Sequence, residues 1–343
     1  MRGMRRLFLL VPLLVTAFAC GEDAVDPSSE GTPSAGSDPA PSASTTPPSS
    51  GSSSSGNPAP APTTNGACSG KTGASGDRTV KIMSGGVERT FNLHVPASYD
   101  ATKKTPLVFL FHGYTENASG VASATHMAAV ADAHGFVLAF PEGLSNSFNA
   151  GECCGSAVSS NVDDIGFTKD MITTIGGDYC IDDKRIFSSG FSNDGMFSYR
   201  LACELADKIA AVASVSGTLT ISPDDCKPKR PISMLHIHGT SDLIVPYNGG
   251  GFGNNRSVAA STDALKTKDS CPSGDGTVVY TKDDVSCRSW SGCSAGTEVE
   301  LCTVNSGGHQ WPGGEQLPYG GSPSKNLNAG EAIAAFFEKH PMP

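Results

Sequence analysis

Basic runs are missing from this 343-residue chain, and its formal net charge is −10. Nucleic-acid binding leaves a lysine and arginine footprint, so that class of function is excluded. No C-x-x-C pair occurs and no histidine stands at ligand spacing from a cysteine, so no metal site is expected. Internal repeats are absent as well, which removes solenoid and array architectures. Long apolar runs are scarce. The clearest, Leu7 to Phe18, follows three arginines, is too short to cross a bilayer comfortably and ends in small residues. That pattern reads as an export signal.

Two readings of its end fit the residues. Ala17-Phe18-Ala19 suits ordinary signal cleavage, leaving Cys20 at the new N-terminus. A cysteine there also resembles a bacterial lipobox, with Ala17 in place of the usual leucine, and we prefer this lipid-anchored reading. Residues 21–66 are Ser, Pro, Gly, Ala and Thr with a few acids; Val25 is their only large aliphatic residue. Such a stretch buries too little apolar area to offset its ordering entropy and is expected to be a disordered tether. The expected organisation is an export signal (1–20), a linker (21–66) and one folded domain (67–343), placing the protein outside the cell or on its surface.

There are 11 cysteines, and setting Cys20 aside leaves an even number, which on an exported chain suggests disulfides. Four crowd between positions 271 and 302, and we expect Cys271 to pair with Cys293 and Cys287 with Cys302.

Strand and helix signals alternate. "RTVKIMSGGVERTFNLHVP" reads as a hairpin around Gly85-Gly86 at a sheet edge. "PLVFLFHG" and "GFVLAFPEG" are continuous apolar runs, as in strands buried on both faces. Residues 118–134 carry apolar residues at helical spacing, and a helix is expected from about Asp163. "KRIFSSGFS" is a strand that turns at once into a helix through Glu204. "KIAAVASVSG", "PISMLHIHG" and "EVELCTV" add strands, and helices are expected at 259–267 and 330–339. This alternation predicts a doubly wound α/β sheet with its chemistry in loops at the C-terminal strand ends.

Within "SSGFSNDGM", Ser192 sits at the strand-to-helix turn that lifts a nucleophilic serine above a sheet, although the last glycine of G-x-S-x-G is Asp194. A serine needs a base. Of the 8 histidines, His309 alone lies in a glycine-bounded loop after a strand and near the C-terminus ("NSGGHQWPGG"). His236 and His238 alternate on one strand and read as packing or hydrogen-bonding residues, and His112 as a loop-shaping one. The imidazole needs an orienting acid. Asp242 in "LHIHGTSDLIVPYNGG" follows a buried strand and gives the order Ser, Asp, His used by α/β-hydrolases. Asp163 and Asp164 are rivals with a sufficient role in capping a helix. The N–H groups of Asn193 and Tyr114 are the expected oxyanion donors.

The segments "LFHGYTENAS", "FPEGLSNSFNAGECCG", "VDDIGF", "GFSNDGM", "LHIHGTSDLIVPYNGG" and "GGHQWPGG" together resemble the extracellular polyhydroxybutyrate depolymerase and feruloyl esterase family. The resemblance runs from about Cys68 to the C-terminus. It implies an α/β-hydrolase fold and a serine esterase without cofactor, with Ser192 as nucleophile, Asp242 as acid and His309 as base. Its implied partner is an ester substrate, either a feruloylated polysaccharide or a polyhydroxyalkanoate. Trp311 resembles a substrate-lining aromatic; packing of the loop beneath Pro312 explains it equally well. A non-catalytic binding module on the same scaffold is the alternative of another class. Members of the family usually carry glycine at position 194. Aspartate there could meet the positive end of the helix dipole, at the cost of a negative charge near the oxyanion, so an attenuated site is expected.

Overall fold

The computed structural model describes residues 68–251 and 255–343. The expected export signal, the anchor at Cys20 and the linker lie outside the described residues.

β1 (Gly76–Ser84) and β2 (Val87–Val95) form the expected edge hairpin. Gly85 and Gly86 make its turn at φ 57° and 82°, a geometry glycine adopts without strain. β3 (Thr105–Phe111) is the apolar run, with Leu107, Phe109 and Phe111 packed into one core cluster and Val108 and Leu110 into another. The helical stretch after it is two helices, α1 (Ala118–Thr125) and α2 (Met127–His134). His126 breaks them apart: at φ 55° it ends α1 in a left-handed turn and opens α2. β4 (Val137–Pro141), a short α3 (Gly155–Ser159) and α4 (Asp164–Asp178) follow. Asp163 caps α4, accepting a hydrogen bond from the Gly166 N–H at 2.7 Å.

β5 (Ile181–Phe191) runs directly into α5 (Asn193–Glu204), then β6 (Ala211–Val215), β7 (Ser233–Gly239) and α6 (Val258–Lys268). β8 (Thr277–Lys282) and β9 (Val285–Trp290) form a hairpin that the sequence reading did not assign. All six residues of β8 are exposed, so the strand carries no apolar alternation to reveal it. β10 (Val299–Val304) and α7 (Ala329–Lys339) complete the chain.

The sheet order is β1-β2-β4-β3-β5-β6-β7-β10-β9-β8. From β4 to β10 every pairing is parallel, and the two margins are antiparallel. A core lies on each face, as a doubly wound sheet requires. On one, Phe111 meets Phe148 and Phe197 edge-on with ring centroids 5.2 and 5.0 Å apart. On the other, Phe187 stacks on Phe337 at 4.6 Å. Truncating such a ring to alanine typically costs about 3–5 kcal/mol.

Among the described residues five disulfides join Cys68–Cys180, Cys153–Cys154, Cys203–Cys226, Cys271–Cys293 and Cys287–Cys302. The last two are the expected pairs, and Cys287 faces Cys302 directly across β9 and β10. This complement fits an oxidising compartment. Among the described residues no helix is long and apolar enough to cross a membrane.

Candidate active site

The C-terminal ends of the parallel strands bring four loops together. Gly113 and Tyr114 follow β3, Ser192 follows β5, Asp242 follows β7 and His309 follows β10. β7 and β10 are parallel neighbours whose last residues, Gly239 and Val304, lie opposite each other. Their loops are then laced together. Ser241 N–H donates to Gly307 O at 2.8 Å, and Ser306 N–H donates to Thr240 Oγ1 at 2.8 Å. Asp242 and His309, 67 residues apart, thereby meet: Nδ1 of the imidazole donates to Asp242 Oδ2 at 2.6 Å.

Asp242 is almost wholly buried and collects donors on both oxygens. The N–H groups of Ile244 and Val245 reach Oδ1, each at 2.8 Å. Burial pushes the carboxyl up, but hydrogen bonds from His238 and His309 outweigh it and hold the group well below the usual carboxylate range. It is therefore ionised at neutral pH, as an acid that fixes an imidazole tautomer must be.

Ser192 has φ 59° and ψ −121°, a backbone region that non-glycine residues occupy only when their surroundings hold them there. Its N–H donates to Val215 O at 2.8 Å and its carbonyl accepts from Met196 N–H at 3.1 Å, which locks the turn. Space explains why position 194 tolerates a side chain. A Cβ at Gly190 would collide with the Asp194 backbone, and one at Gly195 with Ser214 Oγ. The obligatory small residues are thus 190 and 195, and both are glycine here. His309 reaches the turn through Phe191, its ring centroid 4.8 Å from that of the phenyl preceding Ser192. Among the described residues neither Ser192 Oγ nor His309 Nε2 has a hydrogen-bond partner. Catalytic hydrogen bonds of this kind commonly tighten only when substrate is bound.

Two N–H groups are left to donate near the serine. Gly113 N–H donates to Glu116 Oε2, Thr115 N–H to Asn146 O and Glu116 N–H to Gly113 O, at 3.0, 2.8 and 3.0 Å. Tyr114 N–H, in the middle of this turn, has no such partner. Asn193 N–H opens α5, where no helix carbonyl can accept it. The Asn193 side chain is tied to Phe148, accepting from its N–H at 3.1 Å and donating to its carbonyl at 3.3 Å. Tyr319 closes the far side: its ring lies edge-on to His309 at 5.6 Å, and its hydroxyl donates to Glu116 Oε1 at 2.8 Å.

Tyr114, Ser192, Asn193, Met196 and Ile244 help to line a cavity of about 620 Å³. Its wall also holds the Cys153–Cys154 disulfide, and Asn193 Nδ2 lies 3.9 Å from Cys153 Sγ. The adjacent cysteines of "GECCG" were the sequence signal for this bridge. Trp311 lines no part of the cavity. It is 1% exposed and packs in the core with Leu327 and Ile333, so adjacency to His309 in sequence misled and the loop-packing reading stands.

Asp194 corrects a second expectation. Its carboxyl is fully buried, and neither oxygen has a hydrogen-bond partner. Burial, then the negative charges of Asp164 and Glu116, push it well above the usual carboxylate range. His112 Nδ1, 3.9 Å away, does not neutralise it. That nitrogen donates to Gly113 O at 2.9 Å, and Nε2 accepts from Gly143 N–H at 3.0 Å, which assigns a neutral ring. Asp194 therefore favours its protonated form, and the carboxylate beside the Tyr114 turn is that of Glu116, which accepts from Gly113 N–H. Asp164 is not a cap either. It forms a buried pair with Arg89 at 2.8 Å and accepts from Asn149 N–H at 2.7 Å, bracing the Phe148 loop.

The one cluster of potential metal ligands among the described residues, Cys287, Glu300 and Cys302, has both sulfurs in a disulfide and offers no thiolate.

The fold is that of the α/β-hydrolases. Residues 89–224 match the family described as Esterase PHB depolymerase. The matched span includes Ser192 and ends before Asp242. Feruloyl esterase B of Piromyces equi is 32% identical over 236 residues, covering 62% of this chain and 41% of that protein. A bifunctional acetylxylan esterase/xylanase of Neocallimastix patriciarum is 30% identical, covering 64% and 31%. The chain thus spans less than half the length of these two relatives. Among solved structures, an acetyl xylan esterase from Aspergillus awamori superposes with TM-score 0.55 at 13% identity, over 76% of this chain and 99% of that one. A ferulic acid esterase from Anaeromyces mucronatus gives 0.51 at 15%, over 77% and 90%. At these identities the structures speak for the fold.

Proposed function

We propose that the chain is an exported serine carboxylesterase whose catalytic unit is residues 67–343, held by its linker to a lipidated Cys20. The observation that carries this reading is the His309–Asp242 pair, bonded at 2.6 Å and packed against the residue before a serine at a strand-to-helix turn. His309 Nε2 takes the Ser192 proton as Oγ attacks the ester carbonyl. Tyr114 and Asn193 N–H groups receive the oxyanion, and the imidazolium returns its proton to the leaving alcohol. Water repeats the sequence on the acyl-enzyme. Asp242 stays ionised throughout and holds the tautomer with Nδ1 protonated.

The substrate we favour is a feruloyl ester on xylan. Relatives at about the 30% level are feruloyl and acetylxylan esterases, and the cavity is of a size to take an aromatic acyl group. A polyhydroxyalkanoate is the second reading. The family description and the apolar cavity mouth, with Ile244 and Leu243 both exposed, support it.

A serine-directed phosphonate should label the parent and not Ser192→Ala; absence of labelling in the parent would favour a binding module. Methyl ferulate, feruloylated xylan and polyhydroxybutyrate film, assayed side by side, then separate the substrates. Turnover of film alone would overturn the feruloyl assignment.

A further inference from the structure

β7 presents His236 and His238 on one face, and both are buried with their rings stacked, centroids 5.2 Å apart and 5° from parallel. They belong to one hydrogen-bonded line that begins on α5, the helix Ser192 leads into, and ends at Asp242. Tyr199 Oη lies 2.8 Å from His236 Nδ1, His236 Nε2 lies 3.0 Å from His238 Nδ1, and His238 Nε2 lies 2.8 Å from Val245 O. The same Nε2 stands 3.4 Å from Asp242 Oδ2, the oxygen that holds His309.

Donor and acceptor chemistry allows one proton arrangement along this line. A carbonyl oxygen only accepts, so His238 Nε2 carries a hydrogen. At the other end Tyr199 is buried and its hydroxyl has no other acceptor among the described residues, so it donates to His236 Nδ1. His236 then donates through Nε2, and His238 accepts through Nδ1. Both ends give the same answer: two imidazoles, each protonated on Nε2 alone. Burial, then the neighbouring His238, hold His236 well below the usual histidine range, and burial pushes Tyr199 well up, so neither gains charge near neutrality. The other side chain against His238 is Tyr247, edge-on at 5.8 Å, and its hydroxyl is engaged with Thr303 Oγ1 at 2.8 Å.

We propose that His238 is the positioning residue for Asp242, with its tautomer fixed directly by Val245 O and reinforced by Tyr199 through His236. This rests on the esterase reading. His238 acts twice on the acid. Its main bond anchors Val245 O, and so the 242–245 loop whose two N–H groups hold Oδ1. Its second, longer contact puts an N–H against Oδ2. Asp242 is thereby gripped from both sides, and its carboxylate plane is set for His309. With the wrong tautomer, a lone pair on Nε2 would face the lone pairs of Val245 O and Asp242 Oδ2.

Tautomer-sensitive ¹⁵N NMR on the intact protein tests the arrangement without reference to activity. Two neutral rings with hydrogen on Nε2 are expected for His236 and His238, and Tyr199→Phe, which frees only the far end of the line, should perturb His236 more than His238. Hydrogen on Nδ1 of His238, or an imidazolium there, would overturn the proposal. Kinetics on a model ester test the consequence. His238→Leu should lower kcat by about 10- to 100-fold with KM little changed, the scale of misplacing a catalytic group, and should move the acid limb of kcat/KM to lower pH, because a misplaced carboxylate stabilises the imidazolium less. His238→Gln keeps a donor near the Nε2 position and should recover most of kcat and the parent limb. Tyr199→Phe, which removes one oxygen, should lower kcat by a few-fold in the same direction. If His238→Leu is folded and keeps the parent kcat and acid limb, His238 does not position the acid. Failure of phosphonate labelling in the parent would instead remove the esterase reading and leave the NMR result standing.

Discussion

The loop after β7 and the first turn of α5 each bury an aspartate close to the proposed nucleophile, and the two carboxyls behave in opposite ways. Asp242 receives N–H groups from Ile244, Val245 and His309, with His238 beside it, and is ionised. Asp194 receives none and keeps its proton. Burial alone would push both up. What separates them is the supply of donors, and the backbone decides that supply. The turn at 242–245 aims two N–H groups inward, whereas the side chain of Asp194 points between α5 and the loops after β3 and β4, where His112 has both nitrogens engaged.

The largest test of this contrast is one neutralising change at each position. Asp242→Asn should cut kcat/KM by about 10³–10⁴-fold, because an amide that donates to His309 Nδ1 selects the wrong tautomer. Asp194→Asn replaces one neutral group by another and should stay within about 3-fold of the parent, since no catalytic hydrogen bond is lost. A collapse at 194 comparable to that at 242 would mean that Asp194 is charged and used.

A second test reads stability against pH. In the native state Asp194 binds its proton more tightly than in the unfolded chain, where an ordinary aspartate releases it near 3.8. Above that value the native state holds a proton that the unfolded state has lost, so this group lowers stability as pH rises. Asparagine does not titrate. The melting temperature of Asp194→Asn should therefore match the parent near pH 4 and exceed it by a widening margin towards neutral pH. Asp242 has the opposite sign: its contribution is present above the unfolded value and is lost as pH falls through its depressed native value. Asp194→Gly sharpens the point kinetically. Without an anion to remove, it should turn over model esters at least as fast as the parent and show little gain.

These differences mark the limit of what a sequence reading can reach. The positions of Ser192, Asp242 and His309 at strand ends were legible because each follows a strand that is apolar enough to recognise, and a parallel sheet gathers the C-terminal ends of its strands. The pairing of Cys287 with Cys302 was readable for a similar local reason. The state of Asp194 was not, since it depends on burial by distant segments and on His112 having no nitrogen to offer. Asp164 was misread as a cap because its partner, Arg89, is 75 residues away. Trp311 was misread because two residues along a loop can turn from a cleft into the core. The hairpin β8–β9 escaped because an exposed edge strand lacks the alternation that betrays other strands.

The smallest expected effect carries the same contrast to the surface with the charge reversed. His134, at the end of α2, faces two carboxylates of α7: Nδ1 lies 2.7 Å from Glu338 Oε1 and Nε2 lies 2.9 Å from Glu331 Oε2. Here the titrating group is the donor. Hydrogen bonds to Glu331 and Glu338 raise its pKa above the ordinary histidine value of 6.5. The contribution of His134 to stability is thus fully present below the unfolded value and fades as pH rises through the raised native one. The ring is one-fifth exposed and both partners are more so, so solvent screening holds the effect to about 1 kcal/mol or less. His134→Ala should melt lower than the parent at pH 5.5, with the gap closing by pH 9 and shrinking in high salt. A gap that ignores both pH and salt would show that the imidazole acts by packing between α2 and α7, and that partner supply governs ionisation only where water is excluded.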